Sequence, residues 1–175
     1  MEQKKQKPFG VKRLAFLAIL LALALILSYV EVLIPFSFGI PGIKLGLPNA
    51  LILLALYLLG GRDAFFLSIT RIVLSALLFG SFFSFLYSLA GGMLSLLVMT
   101  FLKKTDRFHL ITVSICGGVT HNLGQLIIAA IVISNLKIFY YLPVLLLAGF
   151  LTGGLIGIIS RELVLRLSIF FRKEL

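Results

Sequence analysis

The chain has 175 residues, 61% of them hydrophobic and 13% charged, and a formal net charge of +10. So apolar a composition excludes an ordinary water-soluble domain, and the longest plainly polar stretch is the N-terminal Met1–Pro8. Cys116 is the single cysteine, which excludes an intrachain disulfide and a cysteine metal cluster; it reads as a small residue beside two glycines.

In chain order, the apolar runs predict six membrane-spanning helices at Arg13–Ile34, Pro48–Gly60, Asp63–Phe79, Phe82–Leu102, Phe108–Ser134 and Tyr140–Leu167. Each is measured against the roughly 20 residues that a helix needs to cross a hydrocarbon core. The first follows a basic start and contains Ala22-Leu23-Ala24, which resembles a cleavage site. The run continues to Ile34, beyond a signal peptide's apolar region, so it reads as a retained helix. The second run is short and is expected to extend back through Leu45-Gly46-Leu47. The sixth is long enough to tilt or to leave the membrane near Arg161.

The fold class expected is therefore all-α, a polytopic bundle of six transmembrane helices with both termini cytoplasmic. Residues 1–12 form a basic tail, 13–170 a single membrane domain and 171–175 a second tail. With the N-terminus inside, nearly every lysine and arginine falls on the cytoplasmic side, and Lys44 and Lys137 alone fall in outside loops. The positive charge is a topology signal that implies contact with anionic lipids and excludes a nucleic-acid partner. A multi-pass protein of a bacterial plasma membrane is expected.

The segment Pro35–Leu47 joins helices one and two outside and carries Pro35, Gly39, Pro41, Gly42 and Lys44. It is too apolar for a solvated loop and too broken for a helix, so it is either an interfacial connector or a gating loop over an outward-facing cavity. Glycine pairs recur at Gly91-Gly92, Gly117-Gly118 and Gly153-Gly154, and helix six repeats glycine at 149, 153 and 157. Small residues let helices approach closely in lipid, so tight packing of the last three helices is expected. On helix one, Ala15, Ala18 and Ala22 share a face, suited to packing within the bundle or to docking another membrane protein.

Arg71 falls near the middle of helix three, where an arginine costs about 2.5–3.5 kcal/mol even on lenient insertion scales. It must face the interior, either ion-paired with Glu31 or as a clamp for an anion; Ser68 and Ser75 share its face. Helix five carries Thr120-His121-Asn122-Leu123-Gly124-Gln125. There His121, Asn122 and Gln125 are spaced to reach one cavity, either as a helix-linking network or as a set of donors and acceptors for a polar ligand. Asn49, at the outer start of helix two, is a helix cap or a ligand residue, and Tyr87 places a hydroxyl at similar depth on helix four.

The six acidic residues, Glu2, Glu31, Asp63, Asp106, Glu162 and Glu174, are dispersed, so no aspartate pair is spaced to hold magnesium and a diphosphate. No phosphate-binding loop of the GxxxxGK[ST] type occurs. Neither a catalytic residue nor a metal or cofactor site is expected.

The strings LGLPN (45–49), Arg71 with Gly80 downstream, SLAGGMLSLLVM (88–99) and GGVTHNLGQL (117–126) resemble the Gx transporter family. Its members are commonly labelled membrane-type heptaprenyl diphosphate synthase component I. That family is related to the substrate-binding S components of energy-coupling factor (vitamin uptake) transporters. The resemblance implies a six-helix bundle with an outward-facing ligand pocket capped by the first outside loop. It also implies docking through Ala18 and Ala22 on a coupling membrane subunit served by ATPase subunits. The functions expected are a binding subunit for uptake of a small anionic or dipolar molecule, or a non-catalytic membrane subunit in prenyl diphosphate or quinone synthesis.

Overall fold

Where apolar runs are long the helices are long, and where glycine and proline intervene they stop. The computed structural model describes residues 10–33 and 46–172, with side chains to residue 169. The gate read at Pro35, Gly39, Pro41, Gly42 and Lys44 lies outside the described residues, as do most of the basic tail and the last three positions. The described chain is helical and holds no strand: α1 Val11–Leu33, α2 Asn49–Leu58, α3 Gly61–Phe79, α4 Phe82–Lys104, α5 Leu110–Ile133 and α6 Leu142–Arg172, with a 3-10 helix Leu136–Tyr141 leading into α6. Four are long and apolar enough to cross a membrane: α1, α4, α5 and the run from the 3-10 helix through α6. This is a membrane-type helical bundle.

The second run differs from its expectation. Helix α2 has ten residues, a rise of about 15 Å or half a hydrocarbon core. It does not extend back through residues 45–47, because Gly46 takes a left-handed φ of +82° and Leu47-Pro48 form a turn. The chain enters α2 through tight steps, Asn49 N to Gly46 O at 2.9 Å and Ala50 N to Leu47 O at 3.1 Å. Leu51 through Leu56 are all buried. A helix apolar all round belongs inside a bundle, and α2 is the plug around which the others stand.

The C-terminal end of α2 is capped by cations from other helices. Lys103 of α4 donates to Leu56 O at 2.5 Å, and Arg13 of α1 reaches Leu59 O at 3.3 Å. Arg13 also holds Asp63 of α3, with Nε to Oδ2 at 2.8 Å. The last carbonyls of a helix lack intrahelical donors, and positive groups suit its negative end. Charges legible in the sequence only as orientation markers thus knot α1, α2, α3 and α4 together at one end.

Small residues set the spacing of the last three helices. A β-carbon added at Gly118 would strike Gly149 O, and one at Gly153 would sit 2.8 Å from both Ile115 Cα and Ser114 O. The α6 stripe therefore lies against α5, and Ser114 Oγ donates across to Gly153 O at 2.7 Å. On α1 the buried face is Leu20, Ala24 and Ser28. Ala15, Ala18 and Ala22 are exposed instead, so the alternative of packing within the bundle fails; they lie roughly opposite the face that α1 turns to α2 and α3.

Candidate functional site

The polar residues meet halfway along the bundle because three elements reach the same level there. Arg71 is residue 11 of the 19 in α3, His121 is residue 12 of the 24 in α5, and the half-length α2 begins at Asn49 between them. Helix α4 passes between α3 and α5, and its two adjacent glycines, about 100° apart around the axis, serve one neighbour each. Gly91 admits α5: a β-carbon there would lie 2.8 Å from His121 O and 3.1 Å from His121 Cε1. Gly92 faces α3, with Ser68 Oγ and Arg71 Nη2 at 3.7 and 3.8 Å from the same added atom.

A hydrogen-bonded chain runs across this level. Arg71 Nη2 donates to Asn49 Oδ1 over a long 3.4 Å, Asn49 Nδ2 lies 3.0 Å from His121 Nδ1, and the Gln125 amide lies 2.8 Å from His121 Nε2. Polarity fixes the rest. Arginine has only donors, so Asn49 turns its oxygen to Arg71 and its NH2 to His121. His121 Nδ1 then accepts, so the ring proton sits on Nε2; the nitrogen of the Gln125 amide is placed at 2.8 Å from it, and an end-for-end turn of that amide brings Oε1 there to accept the proton. The imidazole is neutral in this arrangement.

Arg71 is under-satisfied. It is 3% exposed, its one hydrogen bond among the described residues is the long one to Asn49, and its enclosed Nε has no partner. Ser68 Oγ beside it is equally enclosed and also lacks one. The expected direct ion pair with Glu31 is not formed. Glu31 Oε1 accepts the Leu47 amide at 2.6 Å and acts on Arg71 only as a nearby charge. Buried polar groups ordinarily find partners, so an enclosed guanidinium with spare donors is unusual.

The remaining site residues fall in different places. Asn49 makes no helix cap; its amide is committed to Arg71 and His121. Asn122 turns away from its neighbour His121 and donates to Leu145 O of α6 at 2.8 Å, where it ties α5 to α6. Tyr87 is buried with Leu126, Ala129 and Leu145, one turn before Gly91 on α4. Next to Asn49, towards the C-terminal end of α2, a small cavity opens among Leu53, Ser95, Met99, Gly117 and Gly153, with room for about one water molecule. Ser95 Oγ faces it without a partner. Ser95 was not singled out in the sequence, where a lone serine in an apolar run carries no signal.

The family model described as heptaprenyl diphosphate synthase component I matches residues 20–163, so the chain belongs to that family. No curated protein and no solved structure matches it.

Proposed function

We propose that this member of the family is a membrane-embedded binding subunit for a small anionic or dipolar organic molecule, seated at Arg71 in a bundle that crosses the membrane six times with both termini inside. The observation that carries the reading is the enclosed guanidinium whose Nε has no partner beside the equally unpartnered Ser68 hydroxyl. Together they supply the donors that a carboxylate or phosphate oxygen accepts. Asn49, His121 and Gln125 line the neutral side of the site, with Glu31 and Tyr87 at its margins. Asn122 belongs to the helix packing rather than the pocket. The segment with Pro35 and Pro41 would gate entry, and an energy-coupling membrane subunit with ATPase subunits would dock on the exposed Ala15, Ala18 and Ala22, a relation to vitamin-uptake S components that this reading adopts.

The test is mass spectrometry of small molecules retained by the purified protein. Arg71→Ala should abolish retention of an anionic species while the protein still inserts and folds; unchanged retention refutes the clamp.

The family's description favours a second reading, a non-catalytic membrane subunit of heptaprenyl diphosphate synthesis. The dispersed acidic residues give this chain no magnesium–diphosphate pair, so a separate soluble prenyltransferase would carry the chemistry. Its co-purification, without any retained anion, would favour this reading over uptake.

A further inference from the structure

We infer that the Arg71 site takes up an anion together with a proton, and that His121 is the group that receives the proton. The inference rests on the Arg71 anion site proposed above and deepens it.

Charge balance is the first argument. Within this part of the described bundle stand one carboxylate, Glu31, one guanidinium, Arg71, and a neutral His121, so the set carries no net charge. Adding an anion alone would leave a net negative charge buried at membrane depth, which is costly. Adding a proton with it restores neutrality.

Hydrogen-bond polarity is the second, and it supplies the coupling. While Arg71 donates to Asn49 Oδ1, Asn49 must offer its NH2 to His121 Nδ1, and that nitrogen cannot carry a proton without two donors facing each other. An anion seated across Nε and Nη2 of Arg71 takes the unpartnered Nε proton and also replaces Asn49 as the acceptor from Nη2. Asn49 can then turn its amide and present Oδ1 to a protonated Nδ1. The Nε2 proton stays on the Gln125 amide, turned end for end so that its oxygen accepts in both states. In both states each ring nitrogen keeps its amide partner, and one rotation of the Asn49 amide separates them. Arg71 holds His121 neutral until its own donors are taken.

The surroundings offer few rival proton acceptors. Among the described residues the titratable or charged groups of the neighbouring elements are Tyr87 on α4, buried with Leu126 and Ala129, and Arg71 on α3, joined to His121 through Asn49; Glu31 on α1 holds the Leu47 amide. Helix α2 brings only Asn49, and α6 from Leu142 to Gly157 brings none. Lys137, Tyr140 and Tyr141 of the 3-10 helix are exposed.

Nitrate is a suitable probe because it stays a monoanion across the range in which imidazole titrates, about pH 5–8. Its binding to the full-length protein in lipid nanodiscs would be measured by calorimetry. Protons would be counted with an indicator dye in weak buffer, and the His121 nitrogens would be followed by 15N spectroscopy. The expected result is uptake of up to one proton per nitrate, with affinity rising as much as tenfold for each unit fall in pH. His121 should pass from the Nε2–H form to the doubly protonated form as nitrate binds, and His121→Gln should bind nitrate with no proton uptake. Arg71-dependent binding with no proton taken up, or uptake that persists in His121→Gln, overturns the inference and leaves the anion site standing. Should His121→Gln fail to fold, an imidazole that stays neutral in the nitrate-bound native protein overturns it equally. If nitrate does not bind in an Arg71-dependent way, the anion site falls and the inference falls with it.

Discussion

The adjacent glycines of α4 allow a sharp test, because one methyl group at neighbouring positions should have different consequences. At Gly91 the new β-carbon would stand 2.8 Å from the backbone oxygen of His121 and 3.0 Å from Gln125 Cγ. A carbonyl oxygen of a packed helix cannot step aside, so α4 and α5 must part, at about 1–3 kcal/mol for overpacking. The gain in helix propensity from glycine to alanine, about 1 kcal/mol in water, offsets only part of this. At Gly92 the nearest atom is Ile72 Cδ1 at 3.0 Å, the far end of a flexible side chain. There a rotamer change relieves the contact, and the propensity gain leaves Gly92→Ala near neutral or slightly stabilising. The two substitutions should differ by about 2 kcal/mol in reversible unfolding by SDS in mixed micelles. Ligand binding should follow a different order: Gly92→Ala brings a methyl group to 3.7 Å from Ser68 Oγ and 3.8 Å from Arg71 Nη2 and should weaken nitrate while leaving the fold intact. Equal destabilisation by both, or a neutral Gly91→Ala, would refute the wedge role of α4.

The same contrast is expected on α6 by the same unfolding assay. Gly153→Ala meets backbone of α5 and should cost about 1–3 kcal/mol, whereas Gly154→Ala has only Ile115 Cγ1 at 3.9 Å and should be tolerated. Arg13→Ala strands the buried Asp63 carboxylate and should cost about 3 kcal/mol, and much less in an Asp63→Ala background; equal costs in both backgrounds would show that the pair is not coupled. Lys103→Met removes the donor to Leu56 O and should destabilise by about 1.5–3 kcal/mol, with faster hydrogen exchange at the C-terminal end of α2. Asn122→Ala should cost about 0.6–1.7 kcal/mol through its lost bond to Leu145 O and leave nitrate affinity unchanged; a large affinity loss would return Asn122 to the pocket.

The sequence made the helix order legible because apolar length and loop breakers are local quantities. Arg71 was legible as well, since an arginine amid apolar residues can only face inward. The glycine pairs pointed to close packing, but not to which helix each glycine serves, because a pair reads the same from either side. What stayed hidden depends on side-chain direction between helices. His121 and Asn122 are adjacent letters with the same polarity, and a rotation of about 100° sends one to Asn49 and the other to Leu145. Glu31 and Arg71 looked like natural partners at the resolution of charge and depth. A backbone amide, which has no letter of its own, took the carboxylate.

That substitution of partners explains why the site has unused donors. Starting α2 only at Asn49 leaves non-helical backbone at the level of Arg71 and His121 inside an apolar bundle, which is tolerated only where protein groups satisfy it. The Leu47 amide at the entry to α2 is one such group, and the Glu31 carboxylate satisfies it at 2.6 Å. Glu31 Oε1 is thereby given to the broken helix, and among the described residues its carboxylate forms no contact ion pair with Arg71. At the other end, Lys103 and Arg13 hold the α2 carbonyls, so the helix cannot slide to relieve the shortfall. The same break that delivers Asn49 to the level of Arg71 and His121 therefore removes the counter-ion that would have silenced the guanidinium. On this argument, restoring an acceptor should silence it again. Ser68→Asp would place a carboxylate opposite Gly92, on the face of α3 that carries Arg71, raise resistance to unfolding relative to Ser68→Asn, and abolish nitrate binding. If Ser68→Asp bound nitrate as well as the native protein does, the spare donors of Arg71 would not be the binding element.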